Sequence, residues 1–168
     1  MTMPVFNPAT ETQVATVAMG NEDDVNRAVA AATTAWETFS KTSKSDRLEL
    51  LKQLRIETEK RFEDLAQAIR IEMGAPITMA RGAQADSALG HLDGFTAALK
   101  RLESKKVLGT GDILLKEPIG VCGLITPWNW PINQIALKVI PVLATGCSCI
   151  LKPSEHTPIS AMIYAEII

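Results

Sequence analysis

Neither common phosphate-binding loop occurs in the 168 residues: there is no Gly-x-Gly-x-x-Gly and no Walker-type sequence. Histidine is scarce. His91 and His156 stand alone, and Cys147 and Cys149, one residue apart, do not have a zinc spacing, so no metal site is expected. Charge of one sign is also missing. Seventeen Lys and Arg against nineteen Asp and Glu give a net charge of −2, with the basic residues spread among the acidic ones. That leaves no field to attract nucleic acid or an anionic membrane. The most apolar stretch, Val139 to Leu151, is interrupted by Pro141 and Gly146 and is too short to span a bilayer, so it reads as buried core. Met1 to Pro8 has no basic segment and no apolar segment of a secretory signal. Three cysteines, an odd number, then read as free thiols in a reducing, cytoplasmic setting.

What is present is enough for one domain with a real core. Asn7-Pro8-Ala9-Thr10 reads as a turn, and Val14, Thr16 and Ala18 alternate as a short extended segment after it. Asn21 is a candidate N-cap, with Glu22, Asp23 and Asp24 in the first turn, where the helix dipole favours negative charge. Val25, Val29, Ala32 and Trp36 then predict an amphipathic helix over 22–39. Ser45 is a candidate cap for the next helix. Its pattern runs through Leu48, Leu51, Leu54, Phe62, Leu65 and Ile69 to Met73, and Gly74 with Pro76 stops it. Leu89, Leu92, Phe95 and Leu99 predict one further long helix within 77–103.

The period changes after Lys106. Gly109 and Gly111 mark a turn, Ile113-Leu114-Leu115 and Val121 to Ile125 read as strands, and Cys149-Ile150-Leu151 as another. Helical spacing returns from Pro131 to Ala144, with a kink expected at Pro141, and again over 158–168. Strand, helix, strand, helix with short apolar strands predicts parallel pairing in a sheet covered on both faces. The chain stops inside a helical pattern at Ile168.

Two loops follow those strands, at the end where ligands bind in open α/β sheets. The first is Ile125-Thr126-Pro127-Trp128-Asn129-Trp130-Pro131. Its prolines and aromatics stiffen the backbone around Asn129, a neutral donor suited to negative charge developing on oxygen. Equally, Asn129 has the residue type that caps a helix. The second loop is Leu151-Lys152-Pro153-Ser154-Glu155-His156-Thr157-Pro158. Its Lys and Glu suit ribose hydroxyls, which donate to a carboxylate and accept from an ammonium. The competing reading is a solvated loop in which Ser154 or Thr157 caps the last helix.

The two loops, with Leu-Ala-Thr-Gly-Cys between them, closely resemble the aldehyde dehydrogenase superfamily. Asn7-Pro8-Ala9-Thr10, Glu72-Met73-Gly74-Ala75-Pro76 and Lys116-Glu117-Pro118-Ile119-Gly120-Val121 fall in that family's order. The resemblance implies an α/β fold: N-terminal helices followed by the first βαβα of a Rossmann-like parallel sheet, incomplete. It divides the chain into a helical part of the cofactor-binding domain (1–106), a strand region through which subunits associate (107–118) and the start of the NAD-binding sheet (119–168). It implies that Asn129 donates to the oxyanion of a thiohemiacetal and that Lys138 faces the active site, although Lys138 also reads as a solvated helix lysine. Ile125, Thr126, Pro127, Trp128 and Asn129 would line the cofactor, and Lys152, Ser154 and Glu155 would hold its ribose. Glu155 would favour NAD over NADP through like-charge repulsion, softened by Lys152. The implied partners are an aldehyde and, for the full-length protein, further copies of itself in a dimer or tetramer.

In that family a cysteine nucleophile and a glutamate base do the covalent chemistry, and both lie downstream of the Lys-Pro-Ser-Glu loop, as does a phosphate-contacting glycine loop. Cys122, Cys147 and Cys149 match none of these and read as buried, inert thiols. This chain alone is therefore expected to be inactive. The alternatives are a truncated non-catalytic module that binds nucleotide or a partner subunit, and an acylating enzyme that makes a coenzyme A thioester. The residues ahead of Asn7 also read as too few for the strand the family usually has there.

Overall fold

In the computed structural model, which describes residues 1–168, those few residues do form a strand. β1 (Thr2–Asn7) pairs antiparallel with β2 (Thr12–Ala18), with an irregularity at Val5/Phe6. The turn between them is held by the Asn7 side chain, which accepts the Ala9 N–H at 2.9 Å. Only Val5 of β1 is buried.

Helix α1 (Glu22–Phe39) starts as predicted. Asn21 accepts the Asp24 N–H at 3.1 Å, and Asp24 accepts the Asn21 N–H at 2.8 Å, a reciprocal cap. Its apolar stripe is less buried than the spacing suggests: Ala32 is buried, while Val25 and Val29 stay exposed. The next cap is Ser43, not Ser45, because Ser43 and Asp46 make the same reciprocal bonds. The long pattern that follows is two helices, α2 (Lys44–Lys60) and α3 (Phe62–Met73), which meet at Arg61. The break lets two apolar faces, Leu51 with Leu54 and Leu65 with Ile69, reach the same core.

The helix expected within 77–103 is also subdivided. A short α4 (Ile77–Met79) leads through a π-helical stretch (Ala80–Ala85) into α5 (Asp86–Arg101). The buried positions explain the wider turn. Ala80, Gln84, Ala85, Ala88 and Leu92 are all fully buried, and the wider turn keeps Ala80 and Ala85 on the face that Ala88 and Leu92 continue. Arg81 anchors the stretch to α3 through Glu63, at 2.6 and 2.9 Å.

β3 (Lys105–Val107) pairs antiparallel with β4 (Ile113–Leu115), and every residue of both strands is exposed. β5 (Val121–Ile125), α6 (Pro131–Ala144), β6 (Ser148–Lys152) and α7 (Pro158–Ile167) complete the chain, and β5 and β6 are parallel. Pro141 does not end α6, since Thr145 N–H still donates to the Pro141 carbonyl at 3.0 Å. The core gathers apolar side chains of α2, α3, α5, α6 and α7, with Leu124, Cys149 and Leu151 of the parallel strands against it. On the strands' other face lies α1, where the Ser148 hydroxyl donates to the Ala32 carbonyl at 2.7 Å. The fold is thus mixed helix and strand with a parallel pair, as predicted.

Gly74 ends α3 at φ 75°, and a Cβ there would meet Pro8 Cγ at 2.7 Å. The left-handed backbone and the pyrrolidine ring act together. Gly74→Ala is expected to destabilise the protein by about 1–3 kcal/mol, read as a lower urea midpoint with unchanged slope. An unchanged midpoint would mean that the hairpin turn moves away freely.

Candidate active site

Residues Ile125 and Lys152 are direct partners at the ends of β5 and β6, and Thr126 N–H donates to the Lys152 carbonyl at 3.3 Å. The two loops singled out from the sequence therefore leave neighbouring strand ends side by side. Short apolar strands on a shared core fix where they start.

In the first loop Thr126 is buried while Ile125, Pro127, Trp128 and Asn129 are exposed. The cap position of α6 is Trp130, with no side-chain cap bond, and Pro131 fills the first turn. Asn129 does not cap the helix, and its amide is free to meet something else. In the second loop Lys152 Nζ lies 3.0 Å from Glu155 Oε2. The Glu155 carboxyl is held below its usual range by its own backbone N–H and by the Lys152 ammonium. Ser154 is buried and accepts the His156 N–H at 3.2 Å.

Neither Ser154 nor Thr157 caps α7. The capping bonds come from Glu72 of α3, which in the sequence stands only within Glu72-Met73-Gly74-Ala75-Pro76. Glu72 accepts the Ile159 N–H at 2.6 Å, the Ser160 N–H at 3.0 Å and the Ser160 hydroxyl. It is 3% exposed, and burial pushes its carboxyl up to about 7 against the pull of those donors. Nothing local in the sequence signals a cap 87 residues away. Glu72 also borders an open groove of about 590 Å3, together with Val5, Phe6, Met73, Trp128 and Glu155.

Lys138 lies on α6, half-buried, with its ammonium 3.2 Å from Gln134 Oε1. The cysteines differ from expectation: Cys147 is buried, but Cys122 and Cys149 are only half-buried. Burial pushes the thiols of Cys122 and Cys149 up, which disfavours the thiolate.

The sequence pattern of the Aldehyde dehydrogenase family matches residues 1–168. The chain belongs to this family. It is 48% identical over 164 residues to a 3-succinoylsemialdehyde-pyridine dehydrogenase of a Pseudomonas species, covering 97% of this chain and 34% of that relative. An aldehyde dehydrogenase from Bartonella henselae superposes with a TM-score of 0.97 at 44% identity, over 99% of this chain and 36% of that one. A mutant aldehyde dehydrogenase C from Pseudomonas syringae, solved with NAD+ and octanal, gives 0.96 at 46% identity, over 99% and 34%. The chain thus spans about a third of the length of the relatives it matches. No helix of this aldehyde dehydrogenase chain is long and apolar enough to cross a membrane.

Proposed function

We propose that the chain supplies the cofactor loops and the oxyanion donor of an enzyme that oxidises an aldehyde to a carboxylic acid with NAD. The observation that carries this reading is the Ile125–Lys152 pairing, which presents both family loops from one edge with Asn129 free of any capping bond. The loops fit a dinucleotide: Lys152 and Glu155 are paired at a strand end, where a ribose diol can exchange hydrogen bonds with both. Backbone groups of Ile125 to Trp128 and the Ser154 turn complete that wall. When bound, NAD accepts the hydride of the aldehyde carbon.

The residues of this chain orient and stabilise. Asn129 donates an amide N–H to the oxygen that gains charge when a thiolate attacks the carbonyl, and Lys138 faces the same space from α6. The thiolate comes from outside residues 1–168, because burial disfavours the thiolate of Cys122 and Cys149 and Cys147 is buried. The general base lies there with it, as the family resemblance implies. The exposed apolar residues Val107, Ile113 and Leu115 of the β3–β4 hairpin support subunit association in the complete enzyme.

The test is aldehyde-dependent NADH production by the full-length enzyme, alongside the 168-residue chain. The full-length enzyme is expected to turn over without coenzyme A and the chain alone to give none. Turnover only with coenzyme A would replace the hydrolytic reading by thioester formation, and turnover by the chain alone would overturn the division of labour.

A carboxylate repels a 2′-phosphate, so Glu155→Gln is expected to raise the NADP-to-NAD ratio of kcat/KM by about tenfold. An unmoved ratio would remove Glu155 from the ribose.

A further inference from the structure

Helices α6 and α7 begin alike. Each opens on a proline, Pro131 and Pro158, and neither is capped by a side chain of its own loop. For α6 that suffices. Into the start of α7, by contrast, the last turn of α3 sends the Glu72 carboxylate. Glu72 Oε2 accepts the Ile159 N–H at 2.6 Å, and Oε1 accepts the Ser160 N–H at 3.0 Å together with the Ser160 hydroxyl. Taking a carboxylate out of water is costly, and α6 shows that this fold starts a helix without one. Capping alone does not account for Glu72.

What its bonds hold is the start of α7, and with it the end of the loop from Pro153 to Thr157. The other end of that loop is fixed by the β5–β6 pairing, where Thr126 N–H donates to the Lys152 carbonyl. Within the loop Thr157 N–H donates to the Ser154 carbonyl and His156 N–H to the Ser154 hydroxyl, both at 3.2 Å. These bonds fold the loop on itself, and Glu72 ties its far end to α3. Glu155 stands between the two anchors, and it borders the same groove as Glu72.

We propose that Glu72 is a positioning residue for the cofactor, holding the loop from Pro153 to Thr157 so that Glu155 and Lys152 meet the ribose. The inference rests on the dehydrogenase reading above and extends its cofactor site to a residue behind the loop. A loop already in place loses less freedom when a ligand binds, so the bonds to Glu72 are read out as affinity for NAD. A carboxylate suits the task because its two oxygens serve two successive residues. Glutamine reproduces Oε1, but it sets an amide N–H against the Ile159 N–H that Oε2 accepts.

The experiment is titration calorimetry with NAD on the full-length enzyme at pH 8, above the value of about 7 to which burial pushes Glu72. Glu72→Gln is expected to raise the Kd for NAD by about tenfold. Ser160→Ala, which removes only the hydroxyl donor, is expected to raise it by about threefold. In steady-state assays the KM for NAD rises with the Kd, while kcat at saturating NAD does not fall. A merely structural role would lower the urea midpoint and leave the Kd where it was, and that result overturns the proposal. So would a kcat that falls while the Kd holds. Where Glu72→Gln does not fold, Ser160→Ala decides between the same outcomes. A wild type that binds NAD keeps the dehydrogenase reading whichever way the variants go. A wild type that binds none removes that reading and this inference with it.

Discussion

Replacing Asn129 by alanine in the full-length enzyme is expected to lower kcat by about 10²–10³, the usual scale for one oxyanion donor. The KM for NAD is expected to move little. Charge on the carbonyl oxygen develops only as the thiolate adds, so a donor aimed there stabilises the transition state more than the bound aldehyde. The amide is held without reorganisation: Pro127 and Pro131 bracket it, β5 fixes the start of the loop and α6 fixes its end. The alternative role, capping α6, is not one the side chain performs. Stopped-flow measurement of the first turnover separates the outcomes. A slowed chemical step with intact NAD binding supports the donor role. An unchanged kcat would leave Asn129 with no part in the chemistry.

Unfolding free energy is expected to decrease by up to about 3 kcal/mol as pH rises from about 4.5 to about 7, through Glu72. The sign follows from which state holds the proton more tightly. The carboxyl of Glu72 is pushed up from 4.5 to about 7 in the folded chain, so between those values the unfolded chain has lost its proton while the folded chain keeps it. The stabilising contribution is complete below 4.5 and gone once pH passes the folded value. Three donors from α7 oppose the shift, and burial outweighs them. Glu63 works the other way: Arg81 and Gln67 hold it down to about 2, so its contribution is lost only as pH falls below 4.5. Urea midpoints between pH 4 and 8 check the slope, and Glu72→Gln is expected to flatten it. A slope that survives in that variant belongs to another group.

Elements governed by neighbours in the chain were legible. The Asn21 cap, the Gly74 stop and the β5–α6–β6–α7 order all follow from local chemistry, and both family loops were visible as sequences before any strand was placed. What escaped depends on contacts between distant segments. The break at Arg61 and the wide turn at Ala80–Ala85 re-aim helix faces onto a common core. Periodicity reports that a face is apolar without reporting how helices meet. The capping readings of Asn129, Ser154 and Thr157 failed for the same reason, since α7 is capped from α3 and α6 has no side-chain cap at all. The strand at Thr2–Asn7 exists by pairing with β2, which a short unalternating segment does not announce.

The parallel register from Val121↔Ser148 to Ile125↔Lys152 constrains the chain in another currency, its length. Side chains alternate faces along a strand, so a slip of one residue exchanges core and outer positions. Deleting one residue from β6 would carry Leu151 out of the core and swing Lys152 across the sheet, parting it from Glu155. A substitution at Ile150 or Val121 changes a contact, whereas an insertion there changes the address of the loop that follows that strand relative to its neighbour. Between residues 121 and 152, the number of residues in each strand is less free to vary than their identity.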